Sequence, residues 1–255
     1  MRIAYNNFLD GLESTDISAS SYDISYPLTN VLDQRLTVKW QTEDVTTATA
    51  IFDLGATAAC SIFAILSHNL VSGGTVVVNG NDNIASGLTW VTSGESSTQT
   101  ITYNAGIMLA FVSPISNRYW KFTFSGQTQN GINIGRLWIG DYITVSPSST
   151  NDFQVIKKRD DTVVYGKSRQ KYASMGNGWR RFELSFPRTA GTTLTAIQTL
   201  YDTVGNHSSF IFCNFDDIRT YPLVDPCYVS IDGEIGFSHT TRQFYNYELS
   251  LEEDL

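Results

Sequence analysis

Histidine, cysteine and charge are all scarce in this chain of 255 residues. Histidines stand only at 68, 207 and 239, and cysteines only at 60, 213 and 227, without a Cys-x-x-Cys spacing. An odd number of widely separated cysteines excludes a disulfide framework or a locally encoded zinc site, and predicts buried free thiols. Charged residues make up 16% and the net charge is −8. The basic footprint of a general nucleic-acid binder is therefore missing. No run approaches the roughly 18 consecutive apolar residues of a membrane-crossing helix, so no membrane insertion is expected. Residues Met1 to Phe8 lack the apolar core of a signal peptide, from which we expect synthesis and folding in a cytoplasm.

Catalytic signatures are missing too. The chain has neither GxSxG nor the phosphate-binding GxxxxGK[ST]. Ser67, His68 and Asn69 are adjacent, but Asn and His at the end of an apolar run usually satisfy backbone groups in a turn. Carboxylates for glycoside cleavage can be paired on paper among Asp53, Asp82, Asp216, Asp217, Asp232 and Glu234, yet no spacing singles out a pair. Asn79 to Asn83 is oxygen-rich but lacks the spaced acids of a calcium loop. We expect no enzyme, no cofactor and no metal.

What is abundant is aromatic (13%), glycine (19 residues) and small polar, a composition suited to β-structure with broad contact surfaces. Three apolar runs, Ala50 to Gly55, Ser61 to Leu70 and Thr75 to Asn83, read as short strands closed by turn residues. Ile107 to Val112 and Ile132 to Gly140 read likewise. Tyr119 to Ser125 alternates, with Trp120, Phe122 and Phe124 on one face and Tyr119, Lys121 and Thr123 on a wet one. Loops are expected between Gly80 and Tyr103, around a short segment from Leu88 to Val91. The Ser/Pro-rich stretch Ser146 to Asn151 marks a boundary between domains 1–145 and 146–255.

The second domain opens on a basic cluster: Lys157, Lys158, Arg159, Lys167, Arg169, Lys171, Arg180 and Arg181 face only Asp160 and Asp161. In an acidic chain this cluster is a candidate subunit interface, one copy's basic face meeting another's acidic one. Trp179 to Phe186 alternates as a strand that Pro187 should end. One helix is predicted at about 193–204, with Leu194, Ile197, Leu200, Tyr201 and Val204 as its apolar stripe, Thr192 or Thr193 as cap and Gly205 as stop. Strands follow at Phe210 to Asn214, Cys227 to Ile231 and Phe244 to Leu251. Asp232 and Gly233 read as a hairpin turn toward Ile235, and Glu252 to Leu255 as an acidic tail.

The series Phe52-Asp53-Leu54-Gly55, Leu66-Ser67-His68-Asn69-Leu70 and Gly80-Asn81-Asp82, between Trp40 and the Tyr119 and Ile132 strands, resembles the discoidin-like (galactose-binding-like) domain at the front of bacteriophage tail proteins. The second half resembles the β-rich modules of phage distal-tail and minor tail proteins. The resemblance implies an all-β fold: an N-terminal jelly-roll β-sandwich over 1–145 and a smaller β-rich domain with one helix. It further implies a structural protein of a phage tail tip or baseplate in the virion. Such a protein forms a homo-oligomeric ring of three or six copies and contacts the tail tube and hub. The sandwich is expected to project toward host-surface glycans. A sugar site needs an aromatic platform beside amides and carboxylates, and its candidates are Trp40, His68, Asn69, Asn81, Asp82 and Trp90. Within the resemblance, however, Trp40 sits where a tryptophan plugs the sandwich. The alternative function is a free-standing carbohydrate-binding module without an assembly role.

Overall fold

The computed structural model describes residues 1–43, 45–127, 131–145, 154–165, 169, 171–174, 176–214, 226–241 and 244–254. They fall into two compact units, Ala4–Tyr142, and Met1–Ile3 with Ile143–Leu255. The fold is mainly β, with one α-helix among the described residues.

Strands of the first half are β1 (Arg2–Asn7), β2 (Ile17–Ala19), β3 (Trp40–Gln41), β4 (Ala48–His68), β5 (Thr75–Asn81), β6 (Ser97–Ile101), β7 (Met108–Ser125) and β8 (Asn133–Thr144). Neighbours run β6-β5-β7-β4-β8, with β2 beside β4 and β3 beside β8. Two pairs of runs expected as separate strands are continuous: Ala50 to Gly55 and Ser61 to His68 lie in β4, which stops before Asn69 and Leu70, and Ile107 to Val112 and Tyr119 to Ser125 lie largely in β7. Leu88 to Val91 belongs to no strand.

β4 and β7 pair antiparallel from Ala48↔Phe124 to Ile65↔Met108, with register shifts between Asp53 and Ala58 and between Cys60 and Ile62. Gly55, at φ 76°, lies in the first shift. Such irregularities bend a strand pair and raise its twist. The result is a two-layer sandwich: Phe63 is laddered to Ala110, yet its ring packs 4.9 Å from Trp120 and 6.5 Å from Phe122. Between the layers Trp40, Phe52, Phe63, Trp120, Phe122 and Phe124 are fully buried, each worth about 2–3 kcal/mol of burial. The alternation of β7 holds: its even residues from Trp120 to Phe124 are buried and Tyr119, Lys121 and Thr123 only partly so. Arg136 is also fully buried, and its guanidinium meets Asp10 at 2.7 and 3.0 Å.

The second unit contains β9 (Gln154–Arg159), β10 (Thr162–Tyr165), β11 (Lys171–Ser174), β12 (Gly178–Ala190), α1 (Gly191–Val204), β13 (Phe210–Cys213), β14 (Cys227–Ile231), β15 (Phe237–Thr241) and β16 (Phe244–Glu253). Its order is β13-β14-β16-β12-β9, with β15 on β16, while β10 and β11 form a separate ribbon. Phe182, Leu184 and Phe186 of β12 are buried. They cover the helix stripe's neighbourhood in the core with Leu194, Ile197, Leu200 and Val204, also buried, while Tyr201 is only half so.

Four expectations change here. Pro187 does not end β12, because a register shift between Phe186 and Thr189 leaves room for a residue without an N–H. The helix has no side-chain cap: β12 runs directly into it, Ala190 holds the cap position, and no loop offers Thr192 or Thr193 that place. Gly205 does stop it, its N–H bonding to the Tyr201 carbonyl at 2.8 Å. Asp232 and Gly233 turn the chain, but β14 and β15 each pair with β16 rather than with one another. Glu252 and Glu253 are part of β16, not a tail. All three cysteines are buried and outside any disulfide, and burial pushes the Cys60 thiol up to about 12.

Candidate functional site

The polar face of β7 meets the loop 82–96 at one end of the sandwich. Ladder pairs Asn79↔Lys121 and Asn81↔Tyr119 on β5, and Asp53↔Tyr119 on β4, set these residues side by side. Because Trp120 and Phe122 must point into the core, Tyr119 and Lys121 must point away from it. Asn81 is almost completely buried and holds the loop. Its Nδ2 donates to the Val91 and Ser93 carbonyls at 3.0 and 3.4 Å, and its Oδ1 accepts from the Asn83 N–H at 3.0 Å.

That loop brings Trp90 and Glu95 over Lys121. The Glu95 carboxylate accepts from Trp90 Nε1 at 2.5 Å, Asn79 Nδ2 at 3.1 Å and Lys121 Nζ at 3.2 Å. Lys121 Nζ also lies 4.4 Å from the Trp90 ring centroid, a cation–π arrangement. The indole is half-buried and fixed at its N–H edge. Beside it, Arg118 grips Asp53 with both arms at 2.6 and 2.7 Å and stands 4.8 Å from the Tyr119 ring centroid. Asp82 Oδ1 accepts from the Arg118 backbone N–H at 3.0 Å and from Thr57 Oγ1 at 3.3 Å.

The electrostatics do not poise the carboxylates of this cluster to donate protons. The Arg118 hydrogen bonds hold Asp53 below the ordinary carboxylate range. The Trp90 hydrogen bond, followed by Lys121, does the same for Glu95. A general acid at neutral pH needs the opposite shift. Neither of these carboxyls carries a proton to give.

Of the six candidate sugar-site residues, three are brought together: Asn81, Asp82 and Trp90. Trp40 is fully buried, edge-on to Phe124 at 5.8 Å, with Nε1 donating to the Ser21 carbonyl at 3.2 Å. It fills the core and presents no ring to a ligand. His68 and Asn69 lie at the opposite end of the strands, where β4 runs out and the loop before Asn133 begins. His68 Nδ1 accepts from the Leu70 N–H at 3.2 Å and Nε2 donates to the Asn104 carbonyl at 3.0 Å. Burial lowers its pKa and keeps it neutral. Asn69 donates to the Gly131 carbonyl and accepts from the Asn133 N–H, at 3.0 and 2.8 Å. Sequence reasoning overlooked Glu95, Arg118 and Asp53 as members of the cluster. Lys121 was legible as a wet-face residue, but nothing local pairs it with a glutamate 26 positions earlier.

Four of the eight cations of the basic cluster are answered inside their own unit. Arg180 pairs with Glu253 at 2.5 Å, Arg181 with Asp232 at 2.9 Å, Arg159 with Asp161 at 3.0 Å and Lys158 with Glu252 at 3.7 Å. Two of these partners, Glu252 and Glu253, are carboxylates expected to form an acidic tail. Lys157 and Arg169 are exposed, Lys171 is on β11, and Lys167 lies outside the described residues.

No family model and no curated protein matches the chain. Solved structures similar to part of it include the lectin domain of Lectinolysin complexed with Lewis B antigen (16% identity, 52% of this chain, 95% of that chain, TM-score 0.42). Another is the family 32 CBM from C. perfringens NanJ in complex with galactose (18% identity, 56% of this chain, 100% of that chain, TM-score 0.41). A Streptococcus pneumoniae fucose binding module gives 11% identity over 53% of this chain and 95% of that chain, with TM-score 0.41. None of the three is described as a phage tail protein.

Proposed function

We propose that the Ala4–Tyr142 sandwich recognises glycans without cleaving them, through the surface built on Trp90. The observation that carries this reading is the half-buried indole, pinned by Glu95 and Lys121 and bordered by Asp82, Arg118 and Tyr119. An aromatic face for the apolar side of a sugar, ringed by fixed donors and acceptors, is what hydroxyl-rich ligands require. Preorganisation matters because weak ligands cannot offset the ordering of several long side chains.

Glycan-array binding by the intact chain tests it. Trp90→Ala should abolish binding and Glu95→Gln should weaken it, while circular dichroism stays that of the parent. Binding unchanged by both substitutions refutes this site. Assembly into a phage tail-tip ring is the second reading, with residues 146–255 as its contact domain. Its test is whether antibodies to the chain label virion tails.

A further inference from the structure

Large exposed hydrophobic side chains are few, and six of the eight among the described residues fall into two triplets. Tyr22 (51% exposed), Ile24 (88%) and Tyr26 (46%) form the first. Val163, Val164 and Tyr165 (42, 58 and 67%) form the second, on β10. Contiguous apolar exposure of this kind marks a surface that something covers.

The first triplet is a rigid platform, not a loose loop. Asp23 N–H donates to the Gln41 carbonyl at 2.8 Å, Gln41 N–H to the Tyr26 carbonyl at 3.1 Å, and Tyr26 N–H to the Asp23 carbonyl at 2.9 Å. Ser21 Oγ accepts from the Glu43 N–H at 3.2 Å, and its carbonyl accepts from the core indole of Trp40. Tyr22 stands between two shallow depressions. One is lined by Ser20, Asp23, Ile24 and Glu43, the other by Ile17, Ala19, Pro27 and Leu28. Among the described residues, the charges lining them are the two carboxylates Asp23 and Glu43.

The second triplet has the complementary character. β10 and β11 pair only with each other, Thr162↔Ser174 to Tyr165↔Lys171. A two-stranded ribbon alone is marginal in water and needs a third surface to pack against. All four residues of β10 are exposed, and the exposed cations Lys157 and Arg169 flank it in sequence.

We infer that the β10–β11 ribbon of one copy docks on the Tyr22–Tyr26 platform of a second copy. Val163 and Tyr165, which share one face of β10, pack on Ile24 and Tyr22, and Arg169 and Lys157 meet Asp23 and Glu43. Each ribbon has one platform to fill and each platform one ribbon, so the contact joins two different patches of two copies. It uses neither the Trp90 surface nor the internally paired cations.

Sedimentation velocity of the full chain across a wide concentration range tests this. The parent should self-associate, less so at high salt, because the charged rim is screened. Ile24→Glu and Tyr165→Glu, both solvent-facing and expected to leave the circular dichroism unchanged, should each weaken association by more than about tenfold, as loss of a central apolar anchor does. Mixing the two variants is decisive: one retains a good ribbon and the other a good platform, so the mixture should form heterodimers and nothing larger. A parent that stays monomeric at every concentration overturns the inference. So does a mixture that behaves as the sum of its parts, or association unaffected by either variant.

Discussion

Removing Asp10 should destabilise the sandwich far more than removing its partner, Arg136. The two groups are unequally placed: the Arg136 side chain has no exposure, whereas 40% of the Asp10 side chain is in water. Asp10→Ala takes the bidentate carboxylate away from a fully buried guanidinium, whose remaining neighbours include the Leu32 carbonyl at 3.4 Å, the Trp138 ring, 5.5 Å from its centre, and the charge of Asp33. Breaking one side of a buried pair costs about 3–5 kcal/mol. Water can partly replace the half-exposed carboxylate, so about 3 kcal/mol is expected. In a chain of this size that lowers Tm by roughly 6–12 °C. Arg136→Met keeps the volume, removes the charge and leaves Asp10 free to hydrate, so it should cost less than about 1.5 kcal/mol. Burial raises the Asp10 carboxyl above its ordinary range even against the pull of Arg136, which says that the pair does not fully offset its own desolvation. Urea titrations of both single variants and the double variant measure the coupling. An Asp10→Ala cost below about 1 kcal/mol, typical of a surface pair, or Arg136→Met proving the more damaging, would refute the reasoning.

Acid stability offers a second check. The folded-state pKa of Asp53 lies below its ordinary value because of Arg118. The native state therefore binds fewer protons than the unfolded chain, and the pair's stabilisation is complete above the ordinary carboxylate range and lost as pH falls through the depressed value. Asp53→Asn should accordingly lose less stability than the parent on acidification; parallel urea midpoints across pH would contradict it. Two glycines should respond with opposite sign. A Cβ at Gly140 would collide with the backbone carbonyl of Asn6, so Gly140→Ala should cost about 1–3 kcal/mol. At Gly191, the first residue of α1, a Cβ meets open space, and Gly191→Ala should add roughly 0.5–1 kcal/mol. Thermal melts of both variants give the signs directly.

Much of the architecture was legible because burial on alternate sides leaves a periodic trace. The two faces of β7 and the Leu194–Val204 stripe both follow from that trace. Strand length was not legible. Gly55 and its polar neighbours look like a loop, and only the ladder with β7 shows that pairing persists through two register shifts. Among the tryptophans, Trp40 and Trp90 were both candidates for a platform, Trp40 also for the core plug that the resemblance implies; the fold buries Trp40 and half-exposes Trp90.

By itself, then, the sequence determined that this is a mainly β protein with one helix, because side-chain periodicity is a local property of the backbone. Only the tertiary structure decided which groups meet. Glu95 reaches Lys121 and Trp90, Arg118 reaches Asp53 across 65 positions, and two glutamates of the supposed acidic tail pair with Lys158 and Arg180 of the basic cluster. Ion pairs and hydrogen bonds depend on distance in space, and distance in space between remote residues leaves no pattern in a single chain.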